Sequence, residues 1–416
     1  MRNVAGMVAA GLIGLSGLAF VSCGGGGGGA SVVSTPAPSN EVAVIVDTGP
    51  DPVSNPTANT LYTTVTVCVP GSATACQTID HIQVDTGSAG LRILGPPVLT
   101  LSLPAALATD GNSLVECTQF VGAYSWGPIA LADIQVGGET ASSVPIQVIG
   151  GSTFTVPTAC SNKGTAEDTV AAFGANGILG VGVFEQDCGS GCAPSTTVDN
   201  SANGFYYSCA AAGACVGTAV ALNSQVLNPV PLFPIDKNGT IIVLPSVPDA
   251  GAATVTGSLI FGIDTQGNNA SGSETILAVD GIGDFTTMVD SQTLSQSFLD
   301  SGSNGLFFYD SNLQSSLCAN SGFTDFYCPA SPQIFTATLT GAGAAPATTT
   351  ATFTVDNAQT LLTNNSTFAA FPTVAGTYSA SSNSFDWGLP FFYNRRVVTA
   401  IEGHATAVST GPYVAF

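Results

Sequence analysis

The chain is poor in charge, and poorest in positive charge. Of 416 residues only 8 % are charged, and 6 lysines and arginines stand against 27 aspartates and glutamates, a formal net charge of −21. Phosphate recognition needs clusters of Lys and Arg. The one adjacent basic pair is Arg395-Arg396, so nucleic acid is not an expected partner. Histidine is nearly missing: His81 and His404 are the two copies. His81 lies in a strand-like run and reads as a structural residue rather than a base. No His-Glu-x-x-His, phosphate-loop or Gly-x-Ser-x-Gly sequence occurs beyond the leader. Zinc peptidase, nucleotide hydrolase and serine hydrolase mechanisms therefore fit poorly. Long runs of 3.6-residue periodicity are also missing, which argues against a helical fold.

What is present is glycine, proline and short alternating β-branched runs. With 49 Gly and 24 Pro, turns are frequent, and stretches such as Val65-Thr66-Val67 and Thr352-Phe353-Thr354-Val355 alternate as strands do. The expectation is an all-β protein, long enough for two domains.

One nine-residue pattern occurs twice. It reads Asp85-Thr86-Gly87-Ser88-Ala89-Gly90-Leu91-Arg92-Ile93 and, 215 positions later, Asp300-Ser301-Gly302-Ser303-Asn304-Gly305-Leu306-Phe307-Phe308. An apolar-Gly segment follows each Asp by a similar interval, at Gly180 and Gly388. This spacing predicts a duplicated pair of lobes, residues 61–250 and 251–416, each contributing one carboxylate to a shared site. Two carboxylates held close cannot both ionise easily, so they share a proton at acidic pH. One can act as general base on a water while the other, protonated, polarises a carbonyl. Gly87 and Gly302 permit the tight turns, Ser88 and Ser303 can bond the outer carboxylate oxygens, and Thr86 and Ser301 can bond across to the opposite lobe. Such chemistry requires no metal, cofactor or covalent intermediate. A two-carboxylate glycosidase is formally compatible, but duplicated Asp turns do not point to it. A single Asp-x-Gly is usually a turn. Asp47-Thr48-Gly49, followed by Pro50 and Pro52, is read that way, as are Asp80, Asp110, Asp264 and Asp280.

The N-terminus reads as an export signal over residues 1–22, with Arg2 ahead of an apolar stretch from Val4 to Val21. Phe20-Val21-Ser22-Cys23 resembles the lipobox of bacterial lipoproteins, in which the Cys is lipidated; Phe20 departs from the usual Leu. The alternative is ordinary cleavage near Ala19. Residues 23–60, opening with six Gly, compose a flexible tether. Within it Val42–Val46 is apolar enough to add a strand to the body. Apart from Cys23 there are 10 Cys, an even number suited to an oxidising compartment. Local spacing pairs Cys68 with Cys76 and Cys318 with Cys328, and Cys117 and Cys160 are a further candidate pair. Cys188, Cys192, Cys209 and Cys215 form a cluster whose pairing stays open, and disulfides are favoured over zinc because no His lies nearby.

The paired Asp-Thr-Gly-Ser and Asp-Ser-Gly-Ser motifs resemble the two catalytic loops of pepsin-like aspartic peptidases. Gly177-Ile178-Leu179-Gly180 is similar to the segment that threads behind the first loop in that family. Phe261-Gly262-Ile263-Asp264 resembles the opening of its second lobe. Trp387-Gly388-Leu389-Pro390-Phe391-Phe392 and Gly411-Pro412-Tyr413-Val414-Ala415-Phe416 resemble its closing strands. The chain also resembles a family of uncharacterised bacterial lipoproteins with the same two Asp loops. The resemblance covers about residues 61–416. It implies a bilobal pepsin-like fold with a cleft between the lobes and hydrolysis of peptide bonds by Asp85 and Asp300. It further implies a peptide or protein substrate, a monomer, and a flap residue for which Tyr124, with Trp126 beside it, is the candidate. Leu389 stands where an Asp often follows the Gly, Asp386 occupies an otherwise apolar position, and the stretch from Tyr124 to Gly137-Gly138 is short for a flap. The alternative reading is an inactive envelope lipoprotein of the same fold that binds peptide or glycan, and a third is a structural envelope protein. Gly24 after Cys23 leans towards the outer membrane.

Overall fold

A computed structural model describes residues 40–416 apart from 52–55, 151–152, 211–212 and 321. The expected signal peptide, Cys23 and the tether as far as residue 39 lie outside the described residues.

Strands form the frame, as the alternation predicts. They begin with β1 (Glu41–Val46), β2 (Leu61–Cys68), β3 (Cys76–Asp85), β4 (Ala89–Leu94), β5 (Ser113–Phe120), β6 (Ala123–Val136), β7 (Glu139–Ile149), β8 (Thr165–Ala166) and β9 (Gly177–Val181). Strands β6, β7, β4, β9, β3 and β2 are hydrogen-bonded in that order, and β2 returns to β6. The six close into a ring in which every strand has two neighbours. Next come β10 (Tyr206–Cys209), β11 (Cys215–Gly217), β12 (Gly239–Leu244), β13 (Val255–Phe261), β14 (Ile276–Ala278), β15 (Phe285–Val289), β16 (Gln292–Leu299) and β17 (Leu306–Phe308). The last are β18 (Gln333–Thr340), β19 (Thr348–Val355), β20 (Ala375–Gly376), β21 (Ser384–Trp387), β22 (Arg395–Ala400) and β23 (Tyr413–Ala415). Strands β1, β13, β12, β22, β23 and β14 continue the first sheet and join the two ends of the described chain. A second sheet is drawn wholly from the later half, in the order β19-β18-β15-β16-β21-β17-β20.

The apolar run at Val42–Val46 does become a strand, β1, which pairs with β13 over six positions. Just after it, Asp47 is a turn residue. Its Oδ1 accepts from the Gly49 N–H at 2.9 Å and its Oδ2 pairs with His81 Nε2 at 3.3 Å. Both named residues are accounted for structurally.

Two strand trios carry the aspartate loops. Strand β9 lies between β3 and β4, parallel to the first, with Val84 beside Leu179, and antiparallel to the second, with Leu91 opposite Leu179. Strand β21 lies likewise between β16 and β17, with Leu299 beside Trp387 and Leu306 opposite Trp387. Glycine is needed where the middle strand meets the loop: a Cβ on Gly180 would lie 2.6 Å from Ala89 N, and one on Gly388 would lie 2.1 Å from Gly305 O. Behind the second loop Trp387 stacks on Phe385 at 3.9 Å and meets Phe353 edge-on at 5.3 Å. Its Nε1 donates to Thr287 Oγ1 at 3.0 Å, so the buried indole keeps its polar atom satisfied.

Among the described residues there are five disulfides, Cys68–Cys76, Cys117–Cys160, Cys188–Cys192, Cys209–Cys215 and Cys318–Cys328, each with at least one buried cysteine. The four clustered cysteines thus form two separate local bridges. Among the described residues no helix is long and apolar enough to cross a membrane.

Candidate functional site

Asp85 ends β3 and Asp300 follows β16, and the two loops meet face to face. In the first loop the Gly87 N–H donates to Asp85 Oδ1 at 2.7 Å and the Ser88 hydroxyl donates to Asp85 Oδ2. In the second the Gly302 N–H donates to Asp300 Oδ1 at 2.8 Å and Ser303 Oγ lies 3.1 Å from Asp300 Oδ2. The loops are locked reciprocally. Thr86 N–H donates to Ser301 Oγ at 3.1 Å and Ser301 N–H donates to Thr86 Oγ1 at 3.0 Å. Each hydroxyl then donates onward, Thr86 to Leu299 O at 3.0 Å and Ser301 to Val84 O at 2.8 Å. Gln83 Nε2 adds a bond to Gly302 O at 2.8 Å. All eight motif residues from Asp85 to Ser88 and Asp300 to Ser303 therefore belong to one assembly.

Both carboxyls are fully buried. Burial first, then the charges of Asp85 and Asp386 and a hydrogen bond to the Asp85 carboxyl, hold Asp300 well above the ordinary aspartate value, with the Gly302 N–H working the other way. Asp300 therefore holds its proton to a higher pH than an ordinary aspartate does. Asp386, on β21, is a third carboxyl in the same assembly: Ser303 Oγ lies 2.6 Å from its Oδ2. It too is buried and held above the ordinary value, by desolvation first.

Beside the loops lies a cavity of about 340 Å³. The first loop meets it at Thr86, Gly87 and Ser88, with Phe184, Asp187 and Ile282 among the other walls. The carboxyls of Asp85 and Asp300 do not line it. Neither do Tyr124 and Trp126, the flap candidates. Both sit at the start of β6 with their side chains in a cluster containing Tyr207 and the Cys117–Cys160 bridge. Trp126 meets Tyr207 edge-on at 5.2 Å and donates from Nε1 to Phe154 O at 3.3 Å. The tip of the β5–β6 hairpin is fastened as well: Thr165 N–H donates to Gly122 O at 3.0 Å, and β8 pairs with Ala123 and Tyr124.

A second charged group, not anticipated from sequence, lies next to the cavity. Arg92 is fully buried on β4 and donates to Glu116 Oε1 at 2.7 Å, Asp187 Oδ2 at 3.1 Å, Thr118 Oγ1 at 2.8 Å and Ala89 O at 2.9 Å. Tyr206 hydroxyl donates to Asp187 Oδ1 at 2.8 Å. Burial, then the charge and hydrogen bond of Glu116, hold Asp187 well above its ordinary value despite Arg92. The signal was in the repeat itself: Arg92 occupies the position that Phe307 holds in the second copy, and a buried cation needs carboxylate partners.

Among the described residues no group of three or more His, Cys, Asp and Glu is arranged to hold a metal ion. The disulfides mark an extracytoplasmic, mostly β protein with two aspartate loops meeting at one point. The chain belongs to the family described as "Protein of unknown function (DUF3443)", which it matches over residues 36–416. No curated protein matches it.

Proposed function

We propose that the protein is an aspartic endopeptidase of pepsin-like bilobal fold, with lobes at residues 61–250 and 251–416, exported and lipid-anchored at Cys23 to the cell envelope, on the outer membrane. The observation that carries the reading is the reciprocal Thr86–Ser301 lock, which holds Asp85 against Asp300, whose carboxyl is held well above the ordinary aspartate value by burial and neighbouring charge. In this reading Asp85 takes a proton from a water as its oxygen attacks the peptide carbonyl carbon. The Asp300 proton passes to the carbonyl oxygen. The resulting diol collapses as Asp85 gives its proton to the amide nitrogen, a diol hydroxyl returns its proton to Asp300, and the C–N bond breaks. Stabilising the developing charge falls to preorganised donors and to the shared proton. Apolar walls such as Phe184 and Ile282 suit apolar side chains of an extended substrate. No cofactor enters the scheme, and the protein acts as a monomer.

One observation favours a second reading, a peptide- or glycan-binding protein that does not cleave. The dyad is sealed from solvent, and the hairpin β5–β6 is fastened by a disulfide and by β8. Incubating the purified, disulfide-intact protein with a mixed peptide library from acid to neutral pH separates the two. Cleavage that disappears in both Asp85→Ala and Asp300→Ala supports the peptidase. No cleavage by folded parent at any pH rejects it in favour of binding.

A further inference from the structure

The two aspartate loops repeat the same strand arrangement, and one of the positions where the halves differ lies directly beside the pair. Leu179 beside Val84 matches Trp387 beside Leu299, so Ile178 and Asp386 are equivalent. The first half places a buried apolar side chain there, and the second half a buried carboxyl. As a result Ser88 contacts one carboxyl, while Ser303 contacts two, Asp300 Oδ2 at 3.1 Å and Asp386 Oδ2 at 2.6 Å.

Counting protons decides what this means. A serine hydroxyl has one hydrogen and can satisfy one carboxylate oxygen. With carboxyl oxygens on both sides of Ser303 Oγ, the second contact is a hydrogen bond only if one of those carboxyls brings its own proton. Charge counting agrees. Asp85, Asp300 and Asp386 are all fully or almost fully buried, and none of the ion pairs among the described residues includes them. More than one negative charge in such a place is strongly disfavoured. The titratable groups facing Asp386 are Asp85, Asp300 and the hydroxyl of Tyr378, while its strand neighbours Phe298 and Phe307 are apolar.

We propose, resting on the dyad reading above for its catalytic meaning, that Asp386 is a third titrating member of the site, exchanging a proton with Asp300 through Ser303. The exchange is balanced: Asp386 Oδ2–H passes its proton to Ser303 Oγ while Ser303 Oγ–H passes its own to Asp300 Oδ2. One O–H bond breaks and one forms at each hop, with no net change in the serine. Asp386 touches neither water nor substrate and is a positioning residue, keeping a proton within reach of Asp300 when solution protons are scarce. The site then stays singly charged, and active, further towards neutral pH than two carboxyls alone would allow.

The test is an infrared pH titration of the protonated-carboxyl C=O stretch on the full-length, disulfide-intact protein, comparing parent, Asp386→Asn, Asp386→Ile and Ser303→Ala. Asp386→Ile installs the residue type of the equivalent first-half position, Asp386→Asn keeps the size, and thermal melts check that each folds. In the parent a carboxylic acid band persists at a pH where ordinary aspartates are ionised. The expected result is that both substitutions at 386 remove one such band and that Ser303→Ala moves its frequency. An unchanged titration in Asp386→Asn overturns the proposal. Peptide hydrolysis is measured alongside. If the parent cleaves, the alkaline limb of kcat/KM moves to lower pH in Asp386→Asn with KM unchanged, and an unmoved limb overturns the relay. If the parent cleaves nothing, the dyad reading fails, and the infrared band still decides whether Asp386 shares a proton.

Discussion

Gly87 and Gly302 each stand against the opposite loop's aspartate. A Cβ on Gly87 would lie 2.7 Å from Asp300 Cγ, and one on Gly302 would lie 2.7 Å from Asp85 Oδ1. Those carboxyls are pinned by loop amides and hydroxyls and cannot swing aside freely. Gly302→Ala is therefore expected to push the pair apart. Small misplacements of reacting groups cost about a hundredfold, so kcat/KM should fall by about that factor with circular dichroism unchanged. Parent-like hydrolysis in this variant would show that the loops are not in contact in solution.

The Thr86–Ser301 lock should be visible as coupling. Thr86→Val removes the acceptor of the Ser301 N–H in a buried place, and Ser301→Ala does the reverse. Each is expected to destabilise by about 1–3 kcal/mol. Because both sides of one motif are cut, the double variant should lose less than the two losses added together. Urea unfolding of the four proteins measures it, and strict additivity would mean that the bonds act independently.

Arg92→Met leaves Glu116 and Asp187 buried side by side without their cation. Breaking a buried pair from one side costs about 3–5 kcal/mol. Adding Glu116→Gln and Asp187→Asn to Arg92→Met should restore much of that loss. Denaturant midpoints check both steps.

Moderate acid should stabilise the fold. Burial pushes Glu167 up to about 8, and burial also leads the causes that raise Asp187, Asp300 and Asp386. In the interval between their unfolded and folded values the native state binds more protons than the unfolded chain, so stability falls as pH rises. His81, raised first by its hydrogen bond to Asp47, acts in the same direction. Carboxyls held low, such as Asp47 by His81 and Asp110 by Ser208, lose their contribution only in stronger acid. Tm is expected to be higher near about pH 5 than near about pH 8, and Glu167→Gln should flatten the upper part of that curve. A Tm that climbs with pH through this range contradicts the assignment.

The aspartate loops were legible because a duplicated motif states the same local geometry twice. Gly, Ser and Thr at fixed offsets from Asp fix who bonds whom within four residues. The bridges Cys68–Cys76 and Cys318–Cys328 were legible from local spacing and Cys117–Cys160 was a candidate pair, whereas four clustered cysteines admit three pairings. Arg92 was not, because its partners lie 24 and 95 positions away. The facing of Tyr124 and Trp126 was not legible either. Alternation puts both on one face of β6, but residues 123–127 are buried throughout, so polarity could not reveal which face looks towards the cavity. Asp386 was visible as an odd residue, yet its partner Ser303 became apparent only when β21 was seen passing beside the second loop.

Four of the five bridges close short stretches of chain, and each of the five joins cysteines that are consecutive in the sequence. Their partners are 4, 6, 8, 10 and 43 positions apart, and none ties the first aspartate loop's half to the second's. A chain emerging N-terminus first into an oxidising compartment meets each correct partner almost as soon as the cysteine itself appears. Its oxidation can therefore keep pace with its emergence, and the two halves are left to find each other through hydrogen bonds and packing alone.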